Sequence, residues 1–288
     1  GCAEVVRSAH PDVPVGDKLF GYFPPATELQ MTPGPVRETD FDDTVAHRAE
    51  LPPLYNRYRR VRAEPGYDES LDAERMLLWP LYGTGYCLAD SLLLNEWYGA
   101  DQILVLSASS KTSIGMAYAL SDIPSAPKVA GLTSSGNEAF VRSLGIYDEV
   151  YRYDAIADID TGAATAIVDM SGNSGLLGAL HSALGDNMRH TVNVGLTHWD
   201  KAAGSDEIIA ERSGMFFAPG HIQQRIAELG AAEYNRRSAE FLRTGIERSG
   251  GWLKLSSHQG LEGLNEIYTD VCGGSSLPNE GQIIDMVP

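Results

Sequence analysis

Gln102-Ile103-Leu104-Val105-Leu106-Ser107-Ala108-Ser109-Ser110-Lys111-Thr112-Ser113 is the stretch whose reading decides the fold. Ile103 to Leu106 is an unbroken apolar run, as a strand buried on both faces requires, and it stops abruptly in a turn of small residues. From Ile114 the apolar period lengthens: Ile114, Ala117, Tyr118 and Ser121 fall at helical spacing, and Pro124 and Pro127 end the pattern. Lys128 to Leu132 reads as a second strand, Ser135 to Leu144 as a second helix closed by Gly145, and Glu149 to Arg152 as a third strand. Two successive βαβ units of this kind make the first half of a doubly wound parallel sheet.

Such a sheet binds ligands at the carboxyl ends of its strands, where a helix N-terminus offers free N–H groups and partial positive charge. The usual glycine fingerprint is absent from the first turn, because Ser107, Ser109, Ser110, Lys111 and Thr112 occupy it with Ala108. Serine is small enough for close backbone approach and adds hydroxyl donors. Lys111, one of five lysines in the chain, adds a full positive charge. These residues are expected to hold a phosphate.

The second half follows the same grammar. Ala164 to Asp169 is a buried strand ending in Met170-Ser171-Gly172-Asn173, a helix runs from about Ser174 to Leu184, and Arg189 to Gly195 is the next strand, with Thr197-His198-Trp199 just beyond its tip. Asp169, Ser171 and Gly195 therefore face the expected ligand. Lys201 to Gly214 reads as a loop or lid, Met215 to His221 as an apolar cover, and helical spacing then runs from Ile222 to Ile246. Trp252 to Leu255 reads as a strand, Leu261 to Val271 as a helix and Gln282 to Met286 as a last strand.

Upstream, Gly1 to Ser8, Val15 to Phe23 and Glu28 to Met31 read as strands. Residues 32–74, rich in proline and charge, read as connections with a short helix. Tyr55 and Tyr58 among Arg57, Arg59 and Arg60 fit either a solvated face with its tyrosines packed inward or a source of one arginine for an acidic group. Met76 to Tyr82 leads into Gly83-Thr84-Gly85, and a helix is expected from Tyr86 to Tyr98.

Composition narrows the class. The 288 residues are 43% apolar and 21% charged, ordinary for a globular protein, and the net charge of −17 disfavours nucleic acid or an anionic membrane surface as partner. No run of about twenty apolar residues exists to span a membrane. Cys2, Cys87 and Cys272 lack disulfide or zinc-ligand spacing, and the seven histidines show no paired spacing, so no metal site is indicated and a reducing cytoplasm fits.

Ile103 to Leu120, Gly131 to Gly145 and Asp148 to Val150 resemble the cofactor domain of the zinc-free, quinone-oxidoreductase-like medium-chain dehydrogenases/reductases. Ser107 to Thr112 together with Gly195 to Trp199 is similar to a bacterial branch of that superfamily, DUF2855. The resemblance implies a Rossmann domain over residues 75–250, with 1–74 a partial GroES-like β domain plus a connecting segment and 251–288 returning to that domain. It implies that the first half of the GroES-like domain lies outside these residues. It also places the turn containing Tyr82 and Thr84 near the nicotinamide.

At the tip of the second strand, where NAD enzymes carry an acidic residue for the ribose 2′-OH, this chain has Thr133, Ser134 and Ser135, with Asn137 beyond and no carboxylate before Glu138. Nothing there repels a 2′-phosphate, so NADP (NADPH) is the expected cofactor, with Arg142 either assisting or simply exposed. Hydride transfer leaves the protein to supply geometry and a proton, for which His198 and then Tyr82 are the candidate catalytic groups. Gly-x-Ser-x-Gly and Walker glycines are both missing, which removes the hydrolase and nucleotide-triphosphatase readings. The expected function is NADP-dependent, zinc-free reduction of a carbonyl or activated alkene in a small-molecule substrate; the alternative is a non-catalytic nucleotide- or small-ligand-binding protein on the same scaffold. The sequence is compatible with a homodimer and does not fix the oligomeric state.

Overall fold

A computed structural model describes residues 1–195 and 208–287. The chain divides into two compact units, one made of Gly1–Trp79 with Leu253–Pro288, the other of Pro80–Trp252.

In the smaller unit, β1 (Cys2–Glu4), β2 (Lys18–Phe20), β3 (Asp40–Asp42) and β4 (Arg57–Arg60) form an antiparallel sheet in the order β1-β2-β4-β3. Phe41 and Tyr58, 1% and 0% exposed, enter a core with Val13 and Leu19, while the flanking charges alternate outward and Asp42 pairs across the ladder with Arg57 at 3.0 Å. Residues 32–74 are thus not merely connections, and Glu28 to Met31 is not a strand. Strands of three and four residues are too short to show a period, and their charges mask the single inward aromatic. Arg48 is buried beneath them without a carboxylate partner among the described residues; it donates to the Tyr58 hydroxyl and to the Tyr22 and Tyr55 carbonyls.

Helix α1 (Asp72–Leu94) begins well before the expected Tyr86 and passes through Pro80, where the division between the units falls. Pro80, Gly83 and Gly85 read as breakers in sequence, but Gly85 serves contact with the later helix that carries Met116, and Gly115 of that helix serves contact in return. A Cβ on Gly85 would lie 2.5 Å from the Met116 nitrogen, and one on Gly115 would lie 2.6 Å from the Tyr82 ring. The expected helical end at Tyr98 is instead a left-handed turn: Glu96, Trp97 and Tyr98 have φ of +50°, +58° and +55°, and Gly99 follows at +67°.

The larger unit then runs β5 (Gln102–Leu106), α2 (Lys111–Ser121), β6 (Lys128–Thr133), α3 (Glu138–Leu144), β7 (Glu149–Arg152), β8 (Thr165–Asp169), α4 (Ser174–Leu184), β9 (Met188–Val194), β10 (Ser213–Phe216), α5 (Ala218–Leu229) and α6 (Ala231–Ser249). All six strands are parallel, in the order β10-β9-β8-β5-β6-β7. This is the doubly wound Rossmann order, reversing between β5 and β8. Leu104, Leu106, Leu132 and Ile167 pack on one face against Leu176, Leu177 and Leu180 of α4. Two expectations are corrected. Ser213 to Phe216 is a sixth strand, on the sheet edge, where loop and cover were expected. Gly230, at φ +82°, splits the long helical stretch into α5 and α6.

The smaller unit is completed by β11 (Lys254–Gln259), α7 (Gly260–Cys272) and β12 (Glu280–Asp285), a parallel ribbon with its crossover helix. Among the described residues no helix is long and apolar enough to cross a membrane.

Candidate functional site

The strand order reverses between β5 and β8, the place where sheets of this kind bind ligands, and both turns at the carboxyl ends of these strands are organised by polar side chains. Ser107 takes φ +62°, the conformation that the missing glycine would adopt freely. Its N–H donates to the Tyr153 hydroxyl at 3.1 Å, and the Ala108 carbonyl accepts from the Tyr147 hydroxyl at 2.9 Å. Burial pushes both phenols above their ordinary range, so they stay protonated as braces. Ser110 caps α2: its Oγ accepts the Ser113 N–H at 3.2 Å. Lys111 and Thr112, partly buried, open that helix, and Asn137 Nδ2 donates to Ser109 Oγ at 3.1 Å.

Across the reversal, Asp169 is 6% exposed and its Oδ1 accepts both the N–H and the hydroxyl of Ser171, at 2.8 and 2.7 Å. Asp169 and Ser171 thus shape their own turn, and Asn173 caps α4 through the Leu176 N–H at 3.0 Å. Met170 joins the two turns, its sulfur 3.1 Å from Ser113 Oγ. At the tip of β6, Ser134 and Ser135 are exposed. Thr133 is 1% exposed, and its Oγ1 has no hydrogen-bond partner among the described residues. Gly195, exposed, follows β9 at the same edge. His198 lies outside the described residues.

Of the two residues expected near the nicotinamide, Tyr82 is held elsewhere and Thr84 bonds within its own helix. Tyr82 is fully buried among α1, α2 and α6, its hydroxyl 2.6 Å from Ser249 Oγ and its ring against Gly115 and Gly245, so it is packing in the helical layer and presents no phenol to a ligand. Thr84 donates to the Pro80 carbonyl within its own helix at 3.0 Å. Arg142 is a strut, bonded to the Val150 carbonyl at 2.7 Å and to Glu138. Arg57, Arg59 and Arg60 are each ion-paired, with Asp42, Glu64 and Asp17. Tyr147, Tyr153 and Met170 were not singled out in sequence; they reach the turn from later segments, and no spacing within the turn announces them. Among the described residues no three His, Cys, Asp or Glu side chains gather as a metal cage.

A six-stranded parallel sheet with a serine-lined turn at its order reversal is a Rossmann-type doubly wound fold, and a small antiparallel sheet accompanies it in the chain. Solved structures share it. The yhdH oxidoreductase of Salmonella enterica, in complex with NADP, superposes with a TM-score of 0.54 at 12% identity over 99% of this chain and 79% of its own. CurA of Vibrio vulnificus, in complex with NADPH, gives 0.53 at 13% identity over 78% and 68%. CurK enoyl reductase gives 0.51 at 12% over 99% and 77%. At these identities the likeness is one of fold. No curated protein matches the sequence significantly. The family described as "Protein of unknown function (DUF2855)" matches residues 1–276, and the chain belongs to it.

Proposed function

We propose that the chain is an NADP-dependent oxidoreductase that reduces a carbonyl or activated alkene of a small molecule without zinc. The observation that carries this reading is the turn after β5: Ser107 in a glycine conformation, Ser110 as helix cap and Lys111 at the first position of α2, together at the strand-order reversal. A pyrophosphate would accept from the first N–H groups of α2 and pair with the Lys111 ammonium. The orphaned Thr133 hydroxyl and the lack of a carboxylate at the β6 tip suit the adenosine end of NADP. Proteins solved on this fold in complex with NADP or NADPH support the same cofactor. When bound, the nicotinamide supplies the hydride; the chain's part is to orient it and keep water from it. Burial pushes the Cys2 and Cys87 thiols up to about 11, which keeps them from serving as ready thiolates.

Fluorescence titration with NADPH and NADH, followed by a screen of quinones, enones and aldehydes for NADPH oxidation, tests the proposal. Lys111→Ala is expected to weaken NADPH binding about tenfold, the scale of one charge-assisted hydrogen bond. Unchanged affinity removes Lys111 from the site; tight binding with no turnover of any acceptor leaves a nucleotide-binding protein.

A further inference from the structure

The tips of β6 and β7 converge on a cation that sequence reading passed over. In the parallel register Thr133 is the partner of Arg152, each the last residue of its strand. Alternation puts both on one face of the sheet. Two residues earlier on β6, a Cβ on Gly131 would lie 2.8 Å from the Ala108 methyl and 3.1 Å from the Tyr147 ring; two residues earlier on β7, Val150 packs in a cluster with Ala108 and Val141. Thr133 and Arg152 continue that face.

We infer that Arg152 binds the 2′-phosphate of the dinucleotide and so sets the preference for NADP(H) over NAD(H), an inference that rests on the cofactor reading above. Three observations carry it. Beside Arg152 in the ladder, Thr133 Oγ1 is a buried donor without a partner among the described residues, and a phosphate oxygen is an acceptor for it. The carboxylate that would hold a 2′-hydroxyl is missing from the β6 tip, and the first acid beyond it, Glu138, is engaged by Arg142 at 2.9 Å. Arg152 itself is 46% exposed and pairs at 2.9 Å with Asp154, 69% exposed, two residues on in the chain. An ion pair so open to solvent is weak and exchanges readily for a dianion that a planar guanidinium can grip with two hydrogen bonds. Arg142, by contrast, is committed to a carbonyl and a carboxylate and serves as a strut.

The test measures dissociation constants of NADPH, NADH and 2′,5′-ADP for the full chain, Arg152→Gln and Asp154→Asn. Arg152→Gln is expected to lower the ratio of NADPH to NADH affinity about tenfold or more, entirely through NADPH, and to weaken 2′,5′-ADP in parallel. Asp154→Asn, which frees the guanidinium, is expected to tighten NADPH and leave NADH unchanged. If the unaltered chain binds both dinucleotides and Arg152→Gln leaves their ratio intact, or weakens them equally, the assignment of Arg152 falls while the cofactor reading stands. If the unaltered chain binds neither, both fall.

Discussion

The six-stranded sheet and the four-stranded sheet are held together by different means. In the larger unit β5 and β8 are buried at every residue, and the core is continuous aliphatic packing against α4. In the smaller unit β3 and β4 each send one aromatic ring inward, and the buried guanidinium of Arg48 ties the Tyr58 hydroxyl to two backbone carbonyls. The first sheet depends on volume, the second on satisfied polar groups. The contrast teaches which kind of substitution each unit will feel.

The sharpest break of that contrast is Leu104→Ala in β5, which removes a fully buried side chain and is expected to cost roughly 2–5 kcal/mol in urea denaturation. Tyr58→Phe keeps nearly all the volume, so a packing-dominated unit would tolerate it. Because it strips one acceptor from Arg48 and one donor from the Tyr22 carbonyl, it is expected to cost about 1–3 kcal/mol. A loss below a few tenths would mean that the smaller unit relies on volume after all.

His181 sharpens the comparison from the other side, as a polar tie inside the aliphatic unit. Its Nδ1 accepts the Ile209 N–H and its Nε2 meets Thr191 Oγ1, both at 2.9 Å, which fixes the neutral tautomer, and burial lowers its pKa. The unfolded chain therefore takes up this proton first. Stability from His181 is complete above the unfolded value of about 6.5 and falls as the pH drops toward the lower folded value, by at most ~1.4 kcal/mol per pH unit. Denaturation at pH 7.5 and 5.5 should show a smaller pH effect in His181→Asn than in the unaltered chain; equal effects would place the titration elsewhere.

How much could be read in advance follows the same contrast. The run from β5 to β7 and the helix α4 were legible because long apolar runs and helical spacing alternate there without interruption. That Ser107, Ser109, Ser110, Lys111, Thr112, Thr133 and Asn137 sit at or beside the strand tips was legible because a turn following a buried strand has one place to be; that they hold a cofactor is the proposal. The start of α1 was hidden by Pro80, Gly83 and Gly85, since a glycine needed for helix contact looks in sequence like one that ends a helix. Tyr82 looked available for the same reason, and the glycines that enclose it come from α2 and α6. Tyr147, Tyr153 and Arg152 come near the turn after β5 only through the ordering of β6 and β7 beside β5, a juxtaposition no local pattern encodes.

The left-handed turn from Glu96 to Gly99 has one further consequence. L-residues pay about 1–2 kcal/mol each for that hand, and three of its four members have a side chain. The turn precedes β5 at the amino edge of the sheet, at the other end of the strands from the serine-lined turn, so nothing in the chemistry proposed for this chain draws on the strain. It stands as a reserve of unclaimed thermal resistance, open to asparagine or glycine at Glu96 without touching the serine-lined turn.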